Sequence, residues 1–229
     1  MSTSTDRPRS LRPYVWLITR FMRHFVVRPL ARLRLLATYH VTVTSELPKR
    51  GGAIVACNHP STMDPLALFA VLLRNVTFLA KAELWRVPVL KHVMRGMGQI
   101  PVVRGNRESG EKAQASALRV LQYQSKRGKA KGGVVLIFPE GGCTPESGEL
   151  RDFKAGVWFL ALESGAPVYP GGIRGTEKIR FKLSNIWRRR RIPDVHVHLG
   201  EPLYARDFAS KEEFLGVLRA RIEEFRTAA

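Results

Sequence analysis

Residues 53–65 run AIVACNHPSTMDP. The five apolar residues at 53–57 are too few for a helix and read as a short buried strand. The residues after them cannot form a continuous helix. Pro60 and Pro65 each push the residue before them out of the α region, so His59 and Asp64 both stand on non-helical backbone. On a helix, two residues five apart would lie roughly 140° apart, at ~100° per residue. On a loop the carboxylate can reach the imidazole. Pro65 suits the first position of a subsequent helix, with Asp64 as its N-cap. Capping alone would account for Asp64, and a lone His-x4-Asp pair is a weak signal. Its position is the stronger argument, because α/β sheets keep their sites just past strand ends.

Outward from this stretch the pattern alternates. Further strands are expected at 40–44, 76–80, 100–103, 134–138, 167–169 and 195–199. Helices are expected at 66–73, 88–94, 108–125, 155–163 and 211–225. Short strands punctuated by helices predict an α/β fold: one domain over 37–229, with a central mixed β-sheet flanked by helices. A chain of 229 residues that is 45% hydrophobic excludes disorder, collagen and coiled coil. Two cysteines, Cys57 and Cys143, point to a reducing compartment rather than a disulfide framework. They are too few for a structural zinc set, and no metal is expected.

Charge narrows the partner. Thirty-eight Lys and Arg against nineteen Asp and Glu give +19, which no fold requires. A negatively charged partner does: nucleic acid, an anionic membrane or a phosphorylated substrate. Residues 1–10 read as a disordered start. Residues 11–36, LRPYVWLITRFMRHFVVRPLARLRLL, hold no uncharged apolar run long enough to span a bilayer. Arg20, His24, Arg28 and Arg32 recur every four residues, while Tyr14, Leu17, Ile18, Phe21, Met22 and Phe25 fall mostly elsewhere on the wheel. That is an amphipathic, membrane-interface helical segment, broken at Pro29; an ordinary helix capping the core is the plainer alternative. A second basic block, 174–191, carries eight Lys or Arg against Glu177, with Trp187 inside it. Such a block suits an anionic membrane surface or a single-stranded nucleic-acid groove. Nothing matches a helix-turn-helix or an RNA-binding signature, so nucleic acid is set aside as a partner.

Three more segments carry candidate chemistry. GQIPVVR (98–104) ends a strand on Arg104, whose planar fork suits a phosphate. FPEGGCT (138–144) puts Glu140 and the flexible Gly141 past another strand, although a plain turn would read the same way. FKAG (153–156) precedes a helix and the strand APVYP (166–170).

In this order and spacing the segments resemble the glycerolipid acyltransferase family, in particular its bacterial lysophosphatidic acid acyltransferases. The family's Asn-His-x4-Asp block matches Asn58, His59 and Asp64, and its Phe-x-Ala-Lys-x-Glu-Leu block matches residues 78–84, including Lys81. Its Gly-x-Ile-x-Val-x-Arg block is close to 98–104. Its Phe-Pro-Glu-Gly-Thr-Arg-Ser block matches Phe138 to Gly141 and then departs, with Gly142-Cys143-Thr144 in place of Thr-Arg-Ser. The Phe-Lys-x-Gly and Ala-Pro-Val-x-Pro blocks match at 153–156 and 166–170. Coverage runs from about residue 40 to 170.

The resemblance implies transfer of a fatty acyl group from acyl-CoA or acyl-carrier protein to the free hydroxyl of lysophosphatidic acid, with no cofactor. His59 would be the general base and Asp64 its orienting partner. The substrate alcohol is the nucleophile, so Ser61 stays a loop residue. Arg104, Glu140 and Lys154 would position the acceptor headgroup, with Asn58 and Gly141 in the same substrate-binding set and oxyanion donors near Lys81. A sister acyltransferase on glycerol 3-phosphate or another lysophospholipid is the alternative. The expected location is the cytoplasmic face of the cell membrane, peripheral or monotopic.

Overall fold

The apolar runs do become strands. The computed structural model describes residues 38–72, 74–123, 132–144, 148–179 and 194–228, together with Leu17 and Phe21. Its strands are β1 (Thr38–Val43), β2 (Ala53–Cys57), β3 (Val76–Lys81), β4 (Ile100–Val102), β5 (Val134–Ile137), β6 (Val168–Arg174) and β7 (Asp194–Leu199). The α-helices are α1 (Asp64–Val71), α2 (Pro88–Gly96), α3 (Arg107–Leu121), α4 (Gly156–Ser164) and α5 (Lys211–Thr227). The N-terminal stretches 1–10 and 11–36, apart from Leu17 and Phe21, and most of the second basic block, from 180 onward, lie outside the described residues.

One seven-stranded sheet runs in the order β1-β7-β6-β2-β5-β3-β4. The five strands from β6 to β4 are parallel to one another. β7 is antiparallel to β6, and β1 is parallel to β7, so the sheet is mixed. Alternation along each strand splits the core in two. Ile54, Ala56, Val135 and Val168 pack with α3, α4 and α5 on one face. Ala53, Val55, Cys57, Leu136 and Tyr169 pack with Ala67 and Leu68 of α1 on the other. β2 has no exposed residue at all, as expected of a central strand covered on both faces.

β6 is longer than the sequence suggests. The expected strand stops at 169, before Pro170-Gly171-Gly172, residue types that are depleted in strands. Close packing is what demands the glycines. A Cβ on Gly171 would stand 2.5 Å from the Cys57 sulfur, and one on Gly172 2.3 Å from the backbone carbonyl carbon of Phe225 in α5. The helix after the His-Asp loop also starts earlier than expected: Met63 is the N-cap and Asp64 already belongs to the first turn, with Pro65 after it. Among the described residues no helix is long and apolar enough to cross a membrane.

Candidate active site

The five parallel strands all end on the same edge of the sheet, and the loops leaving that edge carry the candidate residues. The loop after β2 holds the dyad. His59 Nδ1 lies 2.7 Å from Asp64 Oδ2, with Asp64 fully buried and His59 8% exposed. An ionised carboxylate only accepts hydrogen bonds, so Nδ1 carries the ring hydrogen and the basic lone pair is on Nε2. The imidazole is stacked on Phe138, centroids 4.0 Å apart and planes 14° apart. Ring and carboxylate are therefore both held.

Asp64 is not an N-cap. Its own helix receives no side-chain capping bond. Oδ2 takes the backbone N–H of Ser61 at 2.9 Å besides the imidazole, and Oδ1 takes the hydroxyl of Thr176 from the end of β6. Burial pushes the Asp64 carboxyl above its ordinary range, while the bonds from His59, Thr176 and Ser61 pull it back.

Glu140 braces this loop from the neighbouring strand. Its Oε1 accepts the backbone N–H of His59 at 3.0 Å and the hydroxyl of Thr144 at 2.8 Å, and Oε2 accepts the N–H of Arg151 at 3.1 Å. The side chain is 3% exposed. Both oxygens thus face the protein, where the sequence suggested contact with an acceptor headgroup. Asn58 is similar: its amide donates to the carbonyl of Ile173 at 2.8 Å and accepts that residue's N–H at 2.7 Å. It ties β2 to β6 rather than offering its amide to a ligand.

Four cations stand at this edge and on its loops. Gly141 has φ +67°, and a Cβ there would stand 2.6 Å from Lys154 Cε, so Lys154 lies flat across the glycine. Arg104 sits beside Gly142, its Nη1 3.9 Å from where a Cβ would be. Arg151 donates through Nε to the carbonyl of Cys143 at 3.0 Å. Lys81 closes β3 as an exposed residue, 3.4 Å from Glu83.

Neither cysteine is built as a nucleophile. Burial pushes the Cys57 thiol far up, and the Asp64 charge adds to it. Cys143 is raised too, by burial and by Asp64, with Arg104 opposing. The sequence reading missed Thr176, Thr144 and Arg151; the first lies in a stretch noticed only for its basic charge. Phe138 was read as a strand end and the start of a family block, with no contact to His59 assigned to it.

A histidine held by a buried carboxylate is equipped to deprotonate an alcohol, and the neighbouring loop after β5 brings Arg104, Arg151 and Lys154 to its glycines and Cys143. The comparisons agree with that chemistry. A family model described as Acyltransferase matches residues 38–174. A 1-acyl-sn-glycerol-3-phosphate acyltransferase of Borreliella burgdorferi is 30% identical over 183 residues, 80% of this chain and 69% of that protein. The enzyme of that name in Bacillus subtilis is 28% identical, over 78% of this chain and 83% of its own. A chloroplastic counterpart in Brassica napus is 29% identical over 84% of this chain, which spans about half (54%) of that protein. In structure, the 1-acyl-sn-glycerophosphate (LPA) acyltransferase PlsC of Thermotoga maritima matches with a TM-score of 0.62 at 24% identity, covering 93% of this chain and 77% of that one. The fold is shared with that enzyme, and the chain belongs to the acyltransferase family.

Proposed function

We propose that this enzyme is a 1-acylglycerol-3-phosphate O-acyltransferase, moving a fatty acyl group from acyl-CoA or acyl-carrier protein to the free hydroxyl of lysophosphatidic acid to give phosphatidic acid. The observation that carries the mechanism is the 2.7 Å contact between His59 Nδ1 and Asp64 Oδ2. His59 Nε2 removes the hydroxyl proton as the oxygen attacks the thioester carbonyl. Asp64 holds the tautomer and stabilises the imidazolium. As the tetrahedral intermediate collapses, the C–S bond breaks and the imidazolium returns its proton to the leaving thiolate. The thioester brings its own activated acyl group, so no cofactor takes part. Arg104, beside Gly142, and Lys154, across Gly141, would pair with the acceptor's phosphate, and the backbone around Lys81 at the same sheet edge would supply donors for the oxyanion. Asn58 and Glu140 support the dyad loop through their hydrogen bonds, and Gly141 leaves room for Lys154.

In this reading residues 37–229 form the catalytic domain. Residues 11–36 are an amphipathic segment that holds the enzyme peripherally on an anionic membrane at its cytoplasmic face. The test is acyl transfer by purified enzyme to a panel of acceptors: lysophosphatidic acid, glycerol 3-phosphate, lysophosphatidylcholine and monoacylglycerol. Fastest turnover of lysophosphatidic acid is expected. Preference for glycerol 3-phosphate or a lysophospholipid with a blocked phosphate would replace it with the sister activity.

A further inference from the structure

Thr176 is the first residue of a single 3-10 turn, Thr176–Lys178, just past β6, and it is fully buried. Two features deliver it to the dyad. Asn58, the residue before His59, brackets both backbone groups of Ile173, fixing the end of β6 to the end of β2. Gly175 then turns the chain at φ +91°, where a Cβ would come 2.0 Å from the carbonyl oxygen of Asp194. Only glycine fits that corner. The Thr176 hydroxyl donates to Asp64 Oδ1, while Oδ2 takes His59 and Ser61. With both oxygens anchored from different elements, the carboxylate plane cannot turn away from the imidazole.

We propose that Thr176 is a positioning residue of the acyl-transfer site, its hydroxyl holding the Asp64 carboxylate in place and aimed at His59. The inference rests on the reading of His59 as the general base. Other titratable groups face the carboxylate: Cys57 from β2, and Cys143 from the loop after β5, beside Glu140 and within the field of Arg104 and Arg151. Those groups stay in place when the hydroxyl is removed, so the change isolates one donor. Burial already pushes the Asp64 carboxyl up, and the Thr176 bond is one of the contacts opposing that push. Without it the carboxylate becomes more basic, and the dyad takes up its proton at higher pH.

The experiment compares Thr176→Val, which keeps the shape, with Thr176→Ser, which keeps the hydroxyl. Thr176→Ala, which adds no bulk, is measured beside them in case the valine variant does not fold. The acid limb of the kcat/KM profile should rise by about one pH unit in the valine and alanine variants. At pH 7 kcat/KM should fall about tenfold, with KM for lysophosphatidic acid within about twofold, and serine should restore most of the rate. The titration of Asp64, tracked by carbon NMR of labelled carboxyl groups, should rise by a similar amount whether or not substrate is present. An unmoved Asp64 midpoint in both hydroxyl-free variants overturns the proposal, even if activity drops uniformly with pH. A raised midpoint with an unmoved rate profile overturns it differently, by removing the general-base reading beneath it.

Discussion

Glu140 Oε1 accepts the backbone N–H of His59 at 3.0 Å, joining the loop after β5 to the loop that carries the His59–Asp64 pair. The reverse tie is the N–H of Thr144, donated to the His59 carbonyl at 2.7 Å. Two loops from adjacent parallel strands thus act as one unit, and the imidazole stacked on Phe138 moves only if both move.

Glu140→Gln tests this brace. A glutamine keeps one acceptor but turns an NH2 toward a backbone N–H, of either His59 or Arg151. An unsatisfied buried donor costs roughly 1–3 kcal/mol, so the melting transition should fall measurably. kcat should drop more than KM rises, because the base is displaced and Arg104 and Lys154 are not. Unchanged kcat in folded protein would show that the brace does not reach the chemistry.

His59→Ala should lower acyl transfer by about 10²–10⁴-fold while leaving the fold intact. Asp64→Asn separates tautomer from charge. The Ser61 N–H and Nδ1–H keep the amide oxygen in the place of Oδ2 and turn the NH2 toward the Thr176 hydroxyl. The tautomer is therefore kept and the charge that stabilises the imidazolium is lost, at a cost of about 10²–10⁴-fold in rate. The same variant carries a stability prediction. Because burial raises the folded carboxyl above its unfolded value, the folded protein holds that proton more tightly in the window between the two. Wild-type stability therefore falls as pH rises through the window, and the cost is fully present above it. The stability of Asp64→Asn relative to wild type should rise over the same interval, as read by denaturation at a series of pH values.

Much of this site is local, and the local part is what a sequence shows. The strand at 53–57, the two prolines and the His-Asp pair lie within thirteen residues, so their pattern announces a loop-borne dyad. Thr176 shares no period or motif with Asp64, 112 residues away; only the pairing of β6 beside β2 brings them together. The same limit explains Glu140. A Pro-Glu-Gly turn advertises an exposed acid, and nothing local says that its oxygens face His59 and Arg151. Pro170-Gly171-Gly172 escapes the strand expected at 167–169 for a related reason, since the glycines answer to Cys57 and Phe225 across the sheet faces.

Gly141→Ala should act through Lys154. At φ +67° a side chain costs roughly 1–2 kcal/mol, and its Cβ would meet the lysine's Cδ, Cε and Nζ within 3 Å. The lysine end is flexible and would swing away. KM for lysophosphatidic acid should therefore rise several-fold, matching Lys154→Met, with a modest loss of stability. If Lys154→Met leaves KM unchanged, the ammonium is not part of the acceptor site.

Residues 11–36 should hold the protein on anionic vesicles. Basic residues near such a surface contribute about 1 kcal/mol each, in addition to apolar insertion. Replacing Arg20, Arg28 and Arg32 by Glu in the full chain should release it from phosphatidylglycerol-containing vesicles in a flotation assay. Full retention would move the anchor elsewhere, with the basic block at 174–191 the next place to test.

Cys143 stands where the resemblance leads one to expect an arginine. Burial and the Asp64 charge raise this thiol, so it stays neutral and cannot pair with a phosphate. Either the acceptor lacks a simple phosphomonoester, or neighbouring cations supply the charge. The loops at this edge favour the second: Arg104 beside Gly142, Lys154 across Gly141, and Arg151 anchored on the Cys143 carbonyl. A charge-assisted contact contributes ~1.5–3 kcal/mol, so Arg104→Ala should lower kcat/KM for lysophosphatidic acid by about ten- to a hundredfold. It should do far less to an uncharged monoacylglycerol. Adding Cys143→Arg to that variant should recover part of the loss, because a guanidinium returns to the same edge. Equal losses on both acceptors, or faster wild-type turnover of the uncharged one, would mean that these cations do not recognise phosphate.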